Sequence, residues 1–339
     1  MKPQNSQQKL IVILGPTSSG KTGLAQELCR QFNGFIISAD SRQVYRYMDI
    51  GTGKIDSMCE LNELQRQRQK LLNDNQVAPS NYAIKLNNID HYMIDLVPPN
   101  DDYNVVLYQR DVYKIMSNVK LQINVKCQMS NAFLVGGTGL YIDAVVDNWQ
   151  FPKGEPNKLK IKNLELKIKT ECLESVWHEL IKFDPGCAEF VQKENPRRVA
   201  RALEYVLRTG RQFSQDRKKG MRQFDILKIG ISLPREELYK KIDARVDARL
   251  KMGMIEEVKE LKSKYGVTYA RLRQFGLECR VIADYLQGKF DSVDSMSQRL
   301  KWNIHAYARR QLTWFRRDKE IKWVSGLKEA EGLVRGFLG

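Results

Sequence analysis

Histidine is nearly absent from this chain of 339 residues, and the three present, His91, His178 and His305, lie far apart. Cysteine is almost as sparse: six residues, at 29, 59, 127, 172, 187 and 279, with no C-x-x-C pair. A Cys/His zinc site therefore has no close-spaced ligands to start from, and a disulfide framework does not suit a chain of this length. Reduced, buried thiols are the expectation. Long apolar runs are missing too. A membrane-spanning helix needs about 20 consecutive apolar residues, whereas the longest stretches here are of the size of Leu10–Leu14 and Ala132–Val135. Met1 to Lys9 is polar, without the apolar core of a signal peptide or the Arg/Ser pattern of a transit peptide. The expectation is a cytoplasmic protein with no membrane association.

Acidic residues are the remaining deficit. Lys and Arg number 56 against 40 Asp and Glu, a formal charge of +16. The excess is clustered. Residues 196–222 hold nine basic and two acidic side chains, and residues 301–322 hold seven and two. Such clustering fits a polyanionic partner, and from charge alone it fits a solvated basic surface equally well. With 42% hydrophobic and 28% charged residues the chain can bury a substantial core, and its length is that of two domains or one elaborated domain.

What is present begins at the N-terminus. Lys9–Leu14 is a short run of branched apolar residues, the pattern of a buried parallel strand. It enters Gly15-Pro16-Thr17-Ser18-Ser19-Gly20-Lys21-Thr22, a G-x-x-x-x-G-K-[ST] loop, and Leu24, Leu28 and Phe32 then recur at helical spacing. Strand, glycine loop and helix are the context in which this motif binds phosphate. Backbone N–H groups turn inward around phosphate oxygens and the helix N-terminus adds its positive end. Lys21 is placed to bridge two phosphates and the Thr22 hydroxyl to ligate Mg²⁺. The motif alone specifies neither nucleotide nor hydrolysis.

A second strand, Gly34–Ser38, ends in Ala39-Asp40-Ser41, followed by Arg42, Gln43, Tyr45 and Arg46. In an open α/β sheet, ligands bind beyond the carboxyl ends of the strands, so Asp40 is expected near the phosphates. NTP hydrolases usually carry their magnesium-binding Asp on a later strand. The later candidate here, Phe133–Val135, runs instead into Gly136-Gly137-Thr138-Gly139, read as a second ligand wall or as a tight structural turn. Residues 54–90, with a Gln/Arg/Asn-rich run from Leu61 to Gln76, read as a polar surface insertion. Tyr103–Lys120 is predicted helical, with Val105, Tyr108, Val112, Ile115 and Met116 on one face.

After Trp149 the composition shifts. Pro152, Gly154 and Pro156 punctuate the chain before a Lys-rich helical stretch. The expected architecture is an α/β P-loop core, a parallel sheet flanked by helices, formed by residues 1–149 and 223–339, with a helical insertion at 150–222. Within the insertion Asn195 is a predicted cap, Pro196 the first helical residue and Gly210 the stop. Arg197, Arg201 and Arg208 are placed on the face opposite Val199, Leu203, Val206 and Leu207, with Arg217-Lys218-Lys219 beyond. Pro234 is predicted to open one long helix whose stripe is Leu238, Ile242, Val246, Leu250, Met254 and Val258. Leu300–Phe315 reads as another, carrying Arg309, Arg310 and Gln311, with Arg316 and Arg317 at its end.

Several of these segments together resemble the isopentenyl (dimethylallyl) transferase family, and most its tRNA-modifying members. They are Gly15–Thr22 (GPTSSGKT), Ile37–Lys54 (ISADSRQVYRYMDIGTGK), His91–Leu96 (HYMIDL), Leu134–Tyr141 (LVGGTGLY), Asn195–Gly210 (NPRRVARALEYVLRTG) and Ala308–Arg316 (ARRQLTWFR). They run in family order over nearly the whole chain. The resemblance implies transfer of the five-carbon group of dimethylallyl diphosphate to N6 of an adenine, with no hydrolysis. It makes Asp40 the general base. Lys21, Thr17, Thr22 and Mg²⁺ would stabilise the departing diphosphate, with Arg245 over it. Asp40, Ser41, Arg42, Gln43, Thr138, Arg197, Arg198 and Arg201 would contact a tRNA anticodon stem-loop. A monomer is the default. Relatives that prenylate free adenine nucleotides usually read S-D-K where this chain has Asp40-Ser41-Arg42; such an adenylate transferase is the alternative, and a P-loop NTPase or kinase a further one. Two departures stand out. Residues 54–90 are longer than the family pattern, and Phe275-Gly276-Leu277-Glu278 replaces the more usual I-G-Y-R-Q, which leaves the role of that loop open.

Overall fold

A computed structural model describes residues 7–73, 83–126, 131–152, 154–170, 172–216 and 218–339. The first strand, β1 (Gln8–Leu14), leads to helix α1 (Lys21–Gln31) and strand β2 (Gly34–Ala39). Next come α2 (Met58–Asn73), β3 (Ile84–Leu86), β4 (Ile89–Tyr92), α3 (Val105–Lys126), β5 (Asn131–Gly136) and α4 (Gly139–Val146). A second group comprises β6 (Trp149–Gln150), α5 (Lys158–Thr170), α6 (Leu173–Phe183), α7 (Pro196–Thr209), α8 (Phe213–Asp216) and β7 (Lys218–Lys219). The chain closes with β8 (Phe224–Ile231), α9 (Arg235–Lys251), α10 (Met254–Ser263), α11 (Tyr269–Phe275), α12 (Leu277–Tyr285), α13 (Val293–Phe315), β9 (Lys322–Val324) and α14 (Leu327–Leu338).

Among the described residues the main sheet has seven strands in the order β3-β4-β2-β5-β1-β8-β9. Its pairs are parallel except at the β3 edge, which runs antiparallel to β4. The sheet is thus mixed rather than wholly parallel. The apolar runs of β1, β2 and β5 are buried on both faces, as a sheet covered by helices requires. One face packs on the cluster containing Val12, Ile37, Tyr108 and Val145, the other on Ile13, Leu28, Phe133 and Val334. β1, β2 and β5 all end on the same side, so Gly15, Asp40 and Gly136 are delivered to one edge of the sheet.

The chain divides into two compact units, one built from residues up to Val146 and from Gln223 onward, the other from Asp147–Arg222. The second unit has its own core around Val176, Leu180, Val199 and Leu203. There α7 starts as its sequence dictates. The Asn195 side chain accepts from the Arg198 N–H, Pro196 follows, and Gly210 ends the helix at φ +67°.

Four sequence expectations need correction. The polar stretch after residue 54 is not wholly a surface insertion: α2 packs on the core through Leu64 and buries Arg68, while residues 74–82 fall outside the described residues. The single helix expected from Pro234 is broken at Gly253, whose φ of +98° no helix accommodates, although its apolar stripe continues in register into α10. α13 starts at Val293, not Leu300, because Ser292 and Ser295 cap it reciprocally. Finally, Cys59 and Cys172 are exposed, unlike the buried thiols of Cys29, Cys187 and Cys279; Cys127 and Arg217 lie outside the described residues.

Candidate active site

The phosphate loop leaves β1 at Gly15 and turns through two left-handed residues, Ser18 at φ +62° and Gly20 at φ +88°. Gly20 precedes α1 without a side-chain cap, and the first turn of α1 carries no acidic residue. The first N–H groups of the helix are therefore left for an anion. Thr17, Lys21 and Thr22 line a cavity of about 180 Å³, together with Asp40, Arg42, Gln43, Gly136, Gly137, Arg245, Arg249 and Glu278. The sequence-derived core residues thus meet in one place.

Gln311, buried on α13, fastens two walls of this cavity. Its Oε1 accepts from the Thr17 N–H at 2.9 Å and its Nε2 donates to the Gly137 carbonyl at 2.8 Å. A Cβ at Gly137 would sit 2.4 Å from that Nε2, which explains the glycine. In the second glycine cluster Gly136 and Gly137 line the cavity, while Gly139 packs against Trp314. The Thr138 Oγ1 accepts from the Ser41 N–H at 3.2 Å, joining this turn to the end of β2.

Asp40 turns its Oδ1 to the Arg42 N–H at 2.8 Å. Gln43 is a brace: it accepts from the Ser38 hydroxyl and donates to the Gly53 carbonyl at 3.1 Å. The Arg42 guanidinium reaches the Gln274 carbonyl at 3.1 Å. The segment from Met48 to Lys54 is held from behind by buried charge. Lys54 pairs with Asp49 and Asp95, and Arg68 crosses to the same two carboxylates at 2.6 Å each. Burial pushes the Asp49 carboxyl up, but Lys54 and Arg68 more than offset it, and its pKa ends below the ordinary value. Glu257 of α10 accepts from the N–H groups of Asp49, Ile50 and Gly51 at 2.7, 2.7 and 3.0 Å. Burial, then the Asp49 charge, nevertheless pushes its pKa up to about 7.

Lys21, Arg42, Arg245 and Arg249 all line the cavity. Arg245 and Arg249 stand one turn apart on α9, with both guanidinia against Gly53. Burial, and then the charge of Arg245, lowers the Lys21 pKa to about 8, although Asp40 pulls the other way. The Arg249 pKa falls to about 10 for the same two reasons. Burial is the larger cause in both, and the Arg245 charge adds to it. Glu278, beside them, is raised by burial. The Tyr307 hydroxyl is pushed up to about 12 by burial and by Asp40 and Glu278, so it stays protonated.

The sequence reading did not single out Arg249, Glu257 or Tyr307, and it took Gln311 for part of a basic helix. The i, i+4 spacing of Arg245 and Arg249 was the available signal. The loop at 275–278, despite its departure from the family pattern, lines the cavity. In the second unit, Arg197 and Arg198 of α7 are exposed. Arg201 and Arg208 flank the buried Glu204, Arg208 at 2.7 Å, so both have a structural task there.

Among the described residues no helix is long and apolar enough to cross a membrane. Comparison with known proteins agrees with the geometry. The IPP transferase family matches residues 80–318, and the isopentenyl transferase family residues 8–95. The chain is 38% identical over 324 residues to a tRNA dimethylallyltransferase of Halothermothrix orenii, covering 95% of this chain and 88% of the relative. It is 35% identical over 319 residues to that of Thermomicrobium roseum, covering 94% and 87%. The crystal structure of the full-length tRNA isopentenylpyrophosphate transferase of Bacillus halodurans superposes with a TM-score of 0.64 at 28% identity, covering 98% and 96%. With the phosphate loop, the Asp40 turn and the glycine wall in one cavity, and this extent of similarity, the chain belongs to the IPP transferase family.

Proposed function

We propose that this protein transfers the dimethylallyl group of dimethylallyl diphosphate to N6 of the adenosine beside the anticodon of a tRNA, releasing diphosphate. The observation that carries the reading is that the Asp40 carboxylate shares one cavity with a phosphate loop and with Lys21, whose charge Arg245 and Arg249 oppose. Tight like-charge packing is tolerable when an anion of several charges binds there. A diphosphate fits that description.

In the mechanism Asp40 accepts the proton of N6 as the nitrogen attacks the allylic carbon. The C–O bond to diphosphate breaks, and its electron pair leaves with the phosphate oxygen. Lys21, Arg245 and the N–H groups from Gly20 to Thr22 are placed to face the charge that grows on the leaving group, which is where stabilisation lowers the barrier. Gln311 holds the loop in place by accepting from the Thr17 N–H. Among the described residues no group of three His, Cys, Asp or Glu side chains forms a metal cage. Thr22 in the phosphate loop nevertheless suits Mg²⁺, which is commonly held by one or two protein oxygens plus substrate phosphates. Bound that way through the Thr22 hydroxyl, Mg²⁺ would neutralise part of the diphosphate charge.

The adenine must be unstacked to reach the cavity, as in other enzymes acting on a base. Ser41, Arg42, Gln43 and Thr138 surround the Asp40 turn and form its RNA-facing rim in this reading. Arg197, Arg198 and Arg201 of the second unit are assigned to the RNA backbone. The protein is taken as a cytoplasmic monomer, in the compartment of its RNA substrate.

The test is incubation with unmodified tRNA and dimethylallyl diphosphate, followed by nucleoside mass spectrometry. A gain of one dimethylallyl unit at a single adenosine is expected. Equal modification of free AMP or ATP would favour the adenylate transferase. ATP turnover without prenyl transfer would point to an NTPase and overturn the proposal.

A further inference from the structure

Arg249 does more in this cavity than a structural brace requires. It is 8% exposed, near the C-terminal end of α9, one turn beyond Arg245. Its Nη1 donates to the Gly51 carbonyl at 3.2 Å and lies 3.9 Å from the Glu278 carboxylate, too far for a hydrogen bond. Its Nε is buried and has no hydrogen-bond partner. A buried guanidinium normally has its N–H groups matched and its charge paired closely. This one is matched by one neutral carbonyl, shares the cavity with Lys21, Arg42 and Arg245, and lines it. Bracing Gly51 needs only a donor. A charged, forked side chain with a spare N–H is suited to phosphate oxygens.

We infer that Arg249 is a second diphosphate-binding arginine, its terminal N–H groups contacting phosphate oxygens alongside Arg245 and Lys21, and that Glu278 positions it. Glu278 enters the cavity from the first turn of α12, in the loop where this chain departs from the family pattern. Its carboxylate lies 3.9 Å from the Arg249 guanidinium, and the phosphate loop lines the same cavity. Gly53 completes the arrangement. A Cβ there would stand 1.8 Å from the Arg249 Nη2 and 2.4 Å from the Arg245 Nη2, so its absence lets both guanidinia converge.

This inference deepens the proposed reaction and rests on the prenyl donor being the anion. Its primary test needs no turnover: calorimetric titration of the protein with inorganic diphosphate in the presence of Mg²⁺. Removing a charge-assisted contact is expected to weaken diphosphate binding roughly 10-fold or more in R249M. In prenyl transfer the KM for dimethylallyl diphosphate should rise similarly while the KM for the anticodon stem-loop stays within about twofold. E278Q should give a smaller shift in the same direction, again in the donor KM alone. Diphosphate affinity in folded R249M equal to wild type would overturn the inference and leave Arg249 a brace of Gly51. Should R249M not fold, R249K keeps the charge but lacks the forked pair of terminal N–H groups; weaker binding supports the assignment and an unchanged affinity overturns it. If the wild type bound diphosphate but transferred no prenyl group, the proposed reaction would fail while the Arg249 assignment would still be decided by titration.

Discussion

Lys21 offers a quantitative handle on the cavity. Its ordinary pKa of 10.5 falls to about 8 in the free protein, because of burial and the charges of Arg245 and Arg249. At 1.36 kcal/mol per unit, holding Lys21 charged costs the free protein about 3 kcal/mol at neutral pH. Partial exposure of the side chain trims this to about 2 kcal/mol. The sign follows from linkage. Between pH 8 and 10.5 the unfolded chain keeps a proton that the folded chain has lost, so stability rises with pH across that window. Below pH 8 the cost is present in full. Lys21→Met should therefore make the free protein more stable by about 2 kcal/mol at pH 7, an advantage that fades toward pH 10.5. A diphosphate reverses the balance, since its charge favours the ammonium. Binding of a non-reactive thiolo analogue of dimethylallyl diphosphate at pH 9 should thus take up protons. The assay is isothermal titration in buffers of different ionisation enthalpy, comparing wild type with Lys21→Met to remove the ligand's own protonation. Equal proton uptake by both proteins, or a Lys21→Met protein less stable than wild type at pH 7, would refute the reasoning.

Two further perturbations test the support behind the cavity. The Glu257 carboxyl, raised from 4.5 to about 7, makes stability fall as pH rises between those values, because the folded state then holds the extra proton. In Glu257→Gln this pH dependence should vanish in urea denaturation, and Glu257→Ala, which strands three N–H groups, should cost about 3 kcal/mol or more. Arg68→Met removes a partner from both Asp49 and Asp95, so unfolding free energy should drop by about 3–5 kcal/mol; a change below about 1 kcal/mol would show the buried network to be dispensable.

The phosphate loop, Asp40 and the glycine wall were legible in the sequence because each is a short, local pattern at the end of a buried strand. The caps of α7 were legible for the same reason. The expected single helix from Pro234 failed at Gly253, since the apolar period passes through the break undisturbed and only the backbone angle reveals it. Arg68 was hidden in a polar run, because its two carboxylate partners are 19 and 27 residues away and no periodicity marks them. Gln311 and Glu257 act on backbone groups 294 and roughly 200 residues distant. Pairings of that kind are set by tertiary packing. Arg249 lay between the two cases: its spacing from Arg245 was readable, but its unpaired N–H was not.

The central claim is that Asp40 takes the N6 proton while the cationic cavity holds the leaving diphosphate. Single-turnover prenyl transfer to an anticodon stem-loop, with both substrates saturating, measures this most directly when wild type is compared with Asp40→Asn. The rate should fall by roughly 10²–10⁴, while the affinity for the thiolo diphosphate analogue stays within about twofold of wild type. A folded Asp40→Asn protein that transfers the prenyl group at the wild-type rate would contradict the account.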